Sequence, residues 1–531
     1  MPRRWQEKWI KQIVSRRAAG FHYAPGFMTG LSQNFLNGAD WSIIVVYLGG
    51  IIALGAWFGR DQHNTRDYFL GSKDIPWWGI GLSIVAAETS ALTIIGVPSM
   101  AYADGGNLGF MQLIIGYVIA RIILAVIMVP HYFKGEIYSP YQLFANAFGQ
   151  GARQTAGGFF LLSETLAAGV RVYVACIPIK LMLGEKVLGM FGAGDPILGA
   201  IVLFVVLSLV YTYIGGVKAV IWTDAVQFGL FLLGGLFTLF YIPHFFAGGA
   251  GEVFRTAAAA GKLHWFNAHV NAVTVWKDPM NIWMGVIGGT VMVMSSHGAE
   301  QLIVQRVLAC KTVADGRKAL ALSAIVILPL FLIFLLVGVM LWVYYQKFTL
   351  AIAIPEVRPH SGIKANDFIY PIFMLSGVPH VLRGLLIVAI LAAAMSSVSS
   401  ALTALSSVST MDFVKKMCPN RSEGFFLRFS KVSTIGWAAA LVVVASLSRA
   451  VPFVLDAAFK LRGLTSGALL GGLLLAVFWK RGRAVPVIGG MFCSLAVMTW
   501  INFSISIAFP WYTLIGTSVT LTVAFLLNLW P

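Results

Sequence analysis

The chain has 531 residues, of which 58% are hydrophobic and only 11% charged, with a formal net charge of +17. Soluble domains carry roughly 25% charged residues, so this chain cannot cover a soluble surface of its length; disordered, collagenous and disulfide-scaffold classes fail on the same composition. Its Lys and Arg residues sit singly or in short groups between apolar runs, as in membrane loops and unlike the basic face of a nucleic-acid binder.

A spanning helix needs about 20 predominantly apolar residues. In chain order, thirteen stretches qualify: 41–59, 75–101, 109–133, 155–184, 195–214, 219–247, 279–299, 321–345, 384–411, 432–448, 451–479, 484–503 and 511–530. The expected fold class is therefore an all-α polytopic membrane protein in contact with the lipid bilayer. The longest gaps, 248–278 and 346–383, have room only for short surface helices. Cys176, Cys310, Cys418 and Cys493 share no metal-like spacing, and the first apolar stretch is long enough to span, so no cleavable signal peptide is expected.

Orientation follows from the loop cations. Loops after odd-numbered spans hold most of them, among others Arg60, Arg66 and Lys73; Arg306, Lys311, Arg317 and Lys318; Lys415, Lys416, Arg421 and Arg428; and Lys480, Arg481 and Arg483. This predicts an outside N-terminus and a cytoplasmic C-terminus in the plasma membrane, the inner membrane if the source is bacterial. The tail at 1–40 opposes it through Arg3, Arg4, Lys8, Lys11, Arg16 and Arg17, and a start at Met28 would remove all six.

Two spans carry internal breaks. The second holds Gly96-Val97-Pro98 after the polar patch Glu88-Thr89-Ser90, and the seventh holds Gly285, Gly288 and Gly289 before Ser295-Ser296-His297-Gly298. Interrupted segments at matching positions of two halves point to a transporter site. With 41–59 set aside as an extra first helix, 75–247 and 279–479 read as two sets of five helices, followed by two more at 484–531. That is an inverted five-plus-five repeat.

Charges inside spans are costly and are functional candidates by default. Glu88, Arg121, Glu164, Arg171 and Asp224 qualify. Arg121 and Glu164 also read as structural ion-pair members or as holding helix ends, and Asp224 as a residue snorkelling to the interface. Arg171, in mid-helix, suits bidentate grip of a carboxylate, with pairing to Glu88 or Glu164 as its alternative. In the ninth span, Ser396-Ser397 and Ser399-Ser400 stack along one stripe. Such a stripe serves close helix packing or supplies oxygen ligands to a hard cation. The nine histidines are scattered and no nucleophile–base arrangement stands out, so no enzymatic reaction is expected.

Four motifs stand out: Asp67-Tyr68-Phe69-Leu70-Gly71 leading to Trp77-Trp78; Ala86 to Pro98; Gly215-Gly216 to Asp224 with Gln227; and Ala393 to Ser400 running to Thr410-Met411-Asp412. With Glu300-Gln301 and Gln305-Arg306, they make the sequence resemble the sodium/solute symporter family, the group of the sodium–glucose, sodium–proline and bacterial sodium–sialic-acid transporters. Glu300 stands where that family usually has Asp. The resemblance covers about residues 40–480 and implies a leucine-transporter-like fold.

It further implies a common sodium site from the carbonyls of Ala86, Thr89 and Ala393 with the hydroxyls of Ser396 and Ser397. A second sodium site, present in some members, would use Asp224, Ser396, Ser399 and Ser400. The substrate region is similar to that of the sialic-acid members at Ser90, Thr93, Gln112 and Arg171. Glu88 departs from them, since a hydroxyl or amide is usual there; its carboxylate would bind a substrate amine, pair with Arg171, or titrate. The expected function is sodium-coupled symport of a small, carboxylated organic solute by alternating access, with Na+ as coupling ion and no cofactor, nucleic acid or obligate protein partner. The alternatives are a proton-coupled carrier using Glu88 and a transporter-fold membrane sensor, which would be expected to append a signalling domain.

Overall fold

The computed structural model describes residues 35–529 except 61, 136, 272, 279, 356–363, 451 and 480–481. The basic tail cations and Met28 lie outside the described residues, which contain helices and connections and no strand. Among them, nine helices are long and apolar enough to cross a membrane, or ten if one bent pair counts as a single span.

Gly38–Phe58 opens the bundle. Asn37 Oδ1 accepts from the Asp40 N–H at 3.0 Å while Asp40 Oδ2 accepts from the Asn37 N–H at 3.1 Å, a reciprocal cap that satisfies two free helix-end donors. The other Asp40 oxygen accepts from the N–H groups of Val381 and Gly384 at 2.8 and 3.1 Å. One buried carboxylate thereby ties the start of this helix to the start of Leu382–Val408.

Pro196–Tyr241 runs as helix on both sides of Gly216, whose φ of 55° and ψ of −154° are not helical. A straight helix of its 46 residues would be about 70 Å long, more than twice the roughly 30 Å of a hydrocarbon core. Contacts show that the chain doubles back at Gly216. Before it, the Tyr211 hydroxyl donates to Met395 O at 3.2 Å; after it, Asp224 accepts from the neighbouring Ser396 hydroxyl at 2.6 Å. Further on, Gly234 faces Leu386 and Ala389. The two arms therefore flank the same turn of Leu382–Val408, a helix buried along nearly its whole length.

The first interruption falls at polar residues and the second at Ala299-Glu300, neither at the glycines within the spans. Trp77–Glu88 stops at Thr89 and Ser90, both extended, and the chain resumes as Ala91–Tyr102, which continues through Gly96 and Pro98; the two halves are bent by 58°. The second break is at Ala299-Glu300, between Gly289–Gly298 and the half-helix Gln301–Leu308. Gly285 marks a close approach instead of a break: a Cβ there would lie 2.4 Å from Gln112 O, and one on Gly116 would lie 2.1 Å from Gly285 O. Small residues here let Met111–Ile123 pack backbone to backbone against its neighbour.

Two expectations for the connections change. Ile369–Ser376, in the gap at 346–383, is buried from Ile369 to Leu375 and is no surface helix. Gln301–Leu308, read from sequence as loop, is buried from end to end, and it carries Arg306 into the core.

Candidate functional site

The first break creates unpaired backbone acceptors. The Thr89 N–H still closes on Val85 O, but the Ser90 N–H turns to the Thr93 hydroxyl oxygen at 3.3 Å and leaves Ala86 O without that turn of helix. Interrupting a helix frees carbonyls in this way. The buried Thr89 Oγ1 has no hydrogen-bond partner. Opposite lies the serine stripe: Ser397 donates to Ala393 O at 3.2 Å, and Ser399 donates to Ser396 O at 3.0 Å. Ser90 and Ala91 line one cavity with Ala394, Ser397, Cys176 and Arg171, so the break, the stripe and the mid-helix arginine meet there.

Arg171 projects from Gln150–Leu183, and its guanidinium donates to Glu164 on the preceding turns and to Ala167 O. Of the two sequence alternatives for its partner, the structure selects Glu164. Glu88 is not among the cavity-lining residues; it accepts from Arg121 and lies 3.6 Å from His297 Nε2. Arg121 and Glu164 are both ion-pair members, as their structural alternative has it.

Asp224 is fully buried, so it does not snorkel. Its Oδ2 accepts from Ser83 at 2.6 Å and from Arg306 Nη2 at 2.9 Å, and its Oδ1 accepts from Ser396 at 2.6 Å. Arg306 also donates to Ser83 at 2.8 Å and to Ser400. The carboxylate of the second candidate sodium position is thus held by a guanidinium from beyond the second break. From sequence Arg306 reads as a loop cation, and its place in the Gln305-Arg306 pair is the signal that sets it apart. A second buried pair went unread: Arg153 Nε donates to Asp412 at 2.6 Å, and the Ser139 hydroxyl donates to the same oxygen at 2.8 Å.

Gln112 is elsewhere. Its amide donates to Met280 O at 2.8 Å and accepts from the Asn267 N–H at 2.8 Å, and it lines a separate cavity with His264 and Asp278. Both hydrogen-bonding ends of the side chain clamp the 262–281 connection to Met111–Ile123. Among the described residues no group of three or more His, Cys, Asp or Glu is placed to hold a metal.

Comparison with known proteins shows the family of the chain. A family model described as the sodium:solute symporter family matches residues 68–493. A sodium/sialic acid symporter of Proteus mirabilis is 28% identical over 490 residues, covering 90% of this chain and 92% of that one. A sodium/glucose cotransporter of Vibrio parahaemolyticus is 26% identical over 515 residues, covering 92% and 90%. In fold, the chain is similar to a Na+-coupled sialic acid symporter solved in a substrate-bound outward-open state, with a TM-score of 0.82 at 24% identity over 93% of this chain and 98% of that one. It is also similar to a nucleobase–cation-symport-1 transporter, with a TM-score of 0.53 at 13% identity over 87% and 93%. These relatives are transporters, not enzymes. The match spans most of the chain, and the protein is a multi-pass membrane transporter belonging to the sodium:solute symporter family.

Proposed function

We propose that this protein is a sodium-coupled secondary symporter that imports a small carboxylated organic solute by alternating access. The observation that carries it is the convergence of the Thr89-Ser90 break, Ser397 and Arg171 on one cavity. The common sodium site would take the carbonyls of Ala86, Thr89 and Ala393 with the hydroxyls of Ser396 and Ser397. The freed Ala86 carbonyl and the unpartnered Thr89 hydroxyl support that assignment, because hard cations favour oxygen ligands. Asp224, Ser396, Ser399 and Ser400 form the candidate second position. Na+ there would take over a carboxylate oxygen that Arg306 and Ser83 share here.

The solute would meet Ser90, Thr93 and Arg171, the guanidinium exchanging part of its bonding to Glu164 for the solute carboxylate. Sialic acid is the first candidate, since it is what the Proteus mirabilis relative carries by name. Glu88 is tied to Arg121 and is not among the residues lining the cavity, which weighs against the reading in which Glu88 carries a coupling proton. The finer architecture goes with this proposal: thirteen spans, a five-plus-five inverted repeat at 75–247 and 279–479, the N-terminus outside and the C-terminus in the cytoplasm. Uptake of radiolabelled sialic acid into proteoliposomes tests the function. Uptake driven by an inward Na+ gradient and lost in Arg171→Ala supports it; uptake of equal size with choline in place of Na+ contradicts it.

A further inference from the structure

Three charged or titratable side chains that the transport scheme does not use meet where three helices cross. Glu88 is the last residue of Trp77–Glu88, Arg121 lies on Met111–Ile123, and His297 lies in the last turn of Gly289–Gly298. Arg121 Nη2 donates to Glu88 Oε2 and lies 3.1 Å from His297 Nε2. His297 Nδ1 lies 2.9 Å from the Ser296 hydroxyl oxygen, and that hydroxyl donates to Val293 O at 3.3 Å. Arg121 and His297 are buried, so the cluster joins the half-helices that precede the two breaks.

The hydrogen bonds favour one state of the imidazole. A guanidinium carries donors only, so the His297 nitrogen facing Arg121 must accept with its lone pair. The Ser296 hydroxyl spends its proton on Val293 O and accepts from Nδ1–H. This arrangement favours the neutral imidazole protonated on Nδ1. A proton added at Nε2 would place a donor against a donor and a cation against a cation. The new N–H would then face Glu88 Oε2, 3.6 Å away, and Arg121 would fall back on Tyr117, whose carbonyl and ring it already meets.

We infer that His297 is a proton-binding site whose occupancy opposes Na+ binding at the Thr89-Ser90 break. The inference rests on the sodium position proposed above. Glu88 lies between the carbonyls of Ala86 and Thr89, so transferring its carboxylate from Arg121 to His297 turns the backbone that would ligate Na+, and the added positive charge acts in the same direction. The other ionisable groups on elements packed against Gly289–Gly298 are few among the described residues. Tyr117 is on Met111–Ile123, Tyr512 on Pro510–Leu529, and Arg306 on Gln301–Leu308; Glu300 lies at the break and residues 463–478 bring none. Tyr132 reaches the same turn through its bond to Gly298 O.

The test uses the purified full-length protein and its thermal midpoint in NaCl against choline chloride. Between about pH 8 and about pH 5.5, the Na+ concentration giving half-maximal stabilisation should rise about fivefold or more, the low end of coupling between two sites. H297Q, which accepts from Arg121 through its amide oxygen and takes no proton, should abolish that rise. Coupling is reciprocal, so the imidazole resonance lost in H297Q from a ¹⁵N-histidine spectrum should titrate about 0.7 pH lower in saturating Na+. Should H297Q not fold, S296A carries the test, because losing the acceptor of Nδ1–H moves the transition to lower pH. The inference is overturned if H297Q keeps the wild-type pH dependence, or if S296A leaves the transition in place. Stabilisation that is specific to Na+ and equal at both pH values removes the role of His297 and leaves the sodium site standing. No Na+ stabilisation at any pH removes the sodium site, and the inference with it.

Discussion

At the scale of single residues, burial decides what a charge does here. The Asp224–Arg306 pair lies among Ser83, Ser396 and Ser400, and removing one member of such a pair leaves an uncompensated buried charge. Arg306→Gln should destabilise the protein by about 3–5 kcal/mol, and D224N/R306Q together by clearly less than the sum of the single changes; thermal unfolding in detergent reads both. Lys262 shows the opposite use of a cation. Its ammonium donates to the carbonyls of Ala101, Tyr102 and Ala103 at 3.0, 3.1 and 2.6 Å and so caps the end of Ala91–Tyr102. Burial pushes its pKa down and the charge of Asp104 only partly opposes this, yet a cation at a helix C-terminus is favourable. Lys262→Met should therefore speed amide exchange at 249–264, which this bond pins to the outer half of the broken helix, with little change in the core. Unchanged exchange there would show that the cap holds nothing. Much at this scale was legible: a carboxylate or guanidinium inside an apolar run stands out. Arg306 did not, because it lies in a half-helix too short to read as a span and its burial is set by Asp224, 82 residues away in sequence.

At the scale of helices, the sequence separates long apolar runs well and interprets glycine poorly. Extended backbone at Thr89-Ser90 has its warning in the polar patch, whereas Gly285, which looks like a breaker, is a contact surface for Gly116. A lone sequence cannot distinguish these uses, since both follow from the missing Cβ. Gly216 combines a turn with a close approach: its φ is +55° and a Cβ would lie 2.6 Å from Tyr68 O. Backbone at this φ and ψ is open essentially to glycine alone and costs other residues of order 1–3 kcal/mol, so Gly216→Ala should lower stability by about 2 kcal/mol or more. Gly229, on the same helix, has nothing within 4 Å of its Cβ position, and Gly229→Ala should be neutral or stabilising by up to about 1 kcal/mol. Melting temperatures of the two variants check the contrast; equal losses would mean that Gly216 is not the reversal point.

At the scale of the whole molecule, coupling stoichiometry sets how much work the transporter does. A charge crossing 100 mV is worth about 2.3 kcal/mol, and a tenfold gradient about 1.4 kcal/mol. One Na+ with a monoanionic solute moves no net charge, so it accumulates solute only about tenfold under a tenfold Na+ gradient. Two Na+ move one net charge and supply about 5 kcal/mol, enough for several thousandfold. Arg306 beside Asp224 favours the first case in the state described, which predicts uptake insensitive to an imposed membrane potential; a potential-driven increase would place a second Na+ beside Asp224. The most direct test of sodium coupling is the thermal midpoint of the purified protein in Na+ against K+ and choline, with Ser397→Ala alongside. A ligand stabilises the state it binds by RT ln(1 + [L]/Kd). A saturable shift specific to Na+ is expected, one that Ser397→Ala moves to higher Na+ concentration. Equal midpoints in all three salts, or a Na+ shift unchanged in Ser397→Ala, would contradict it.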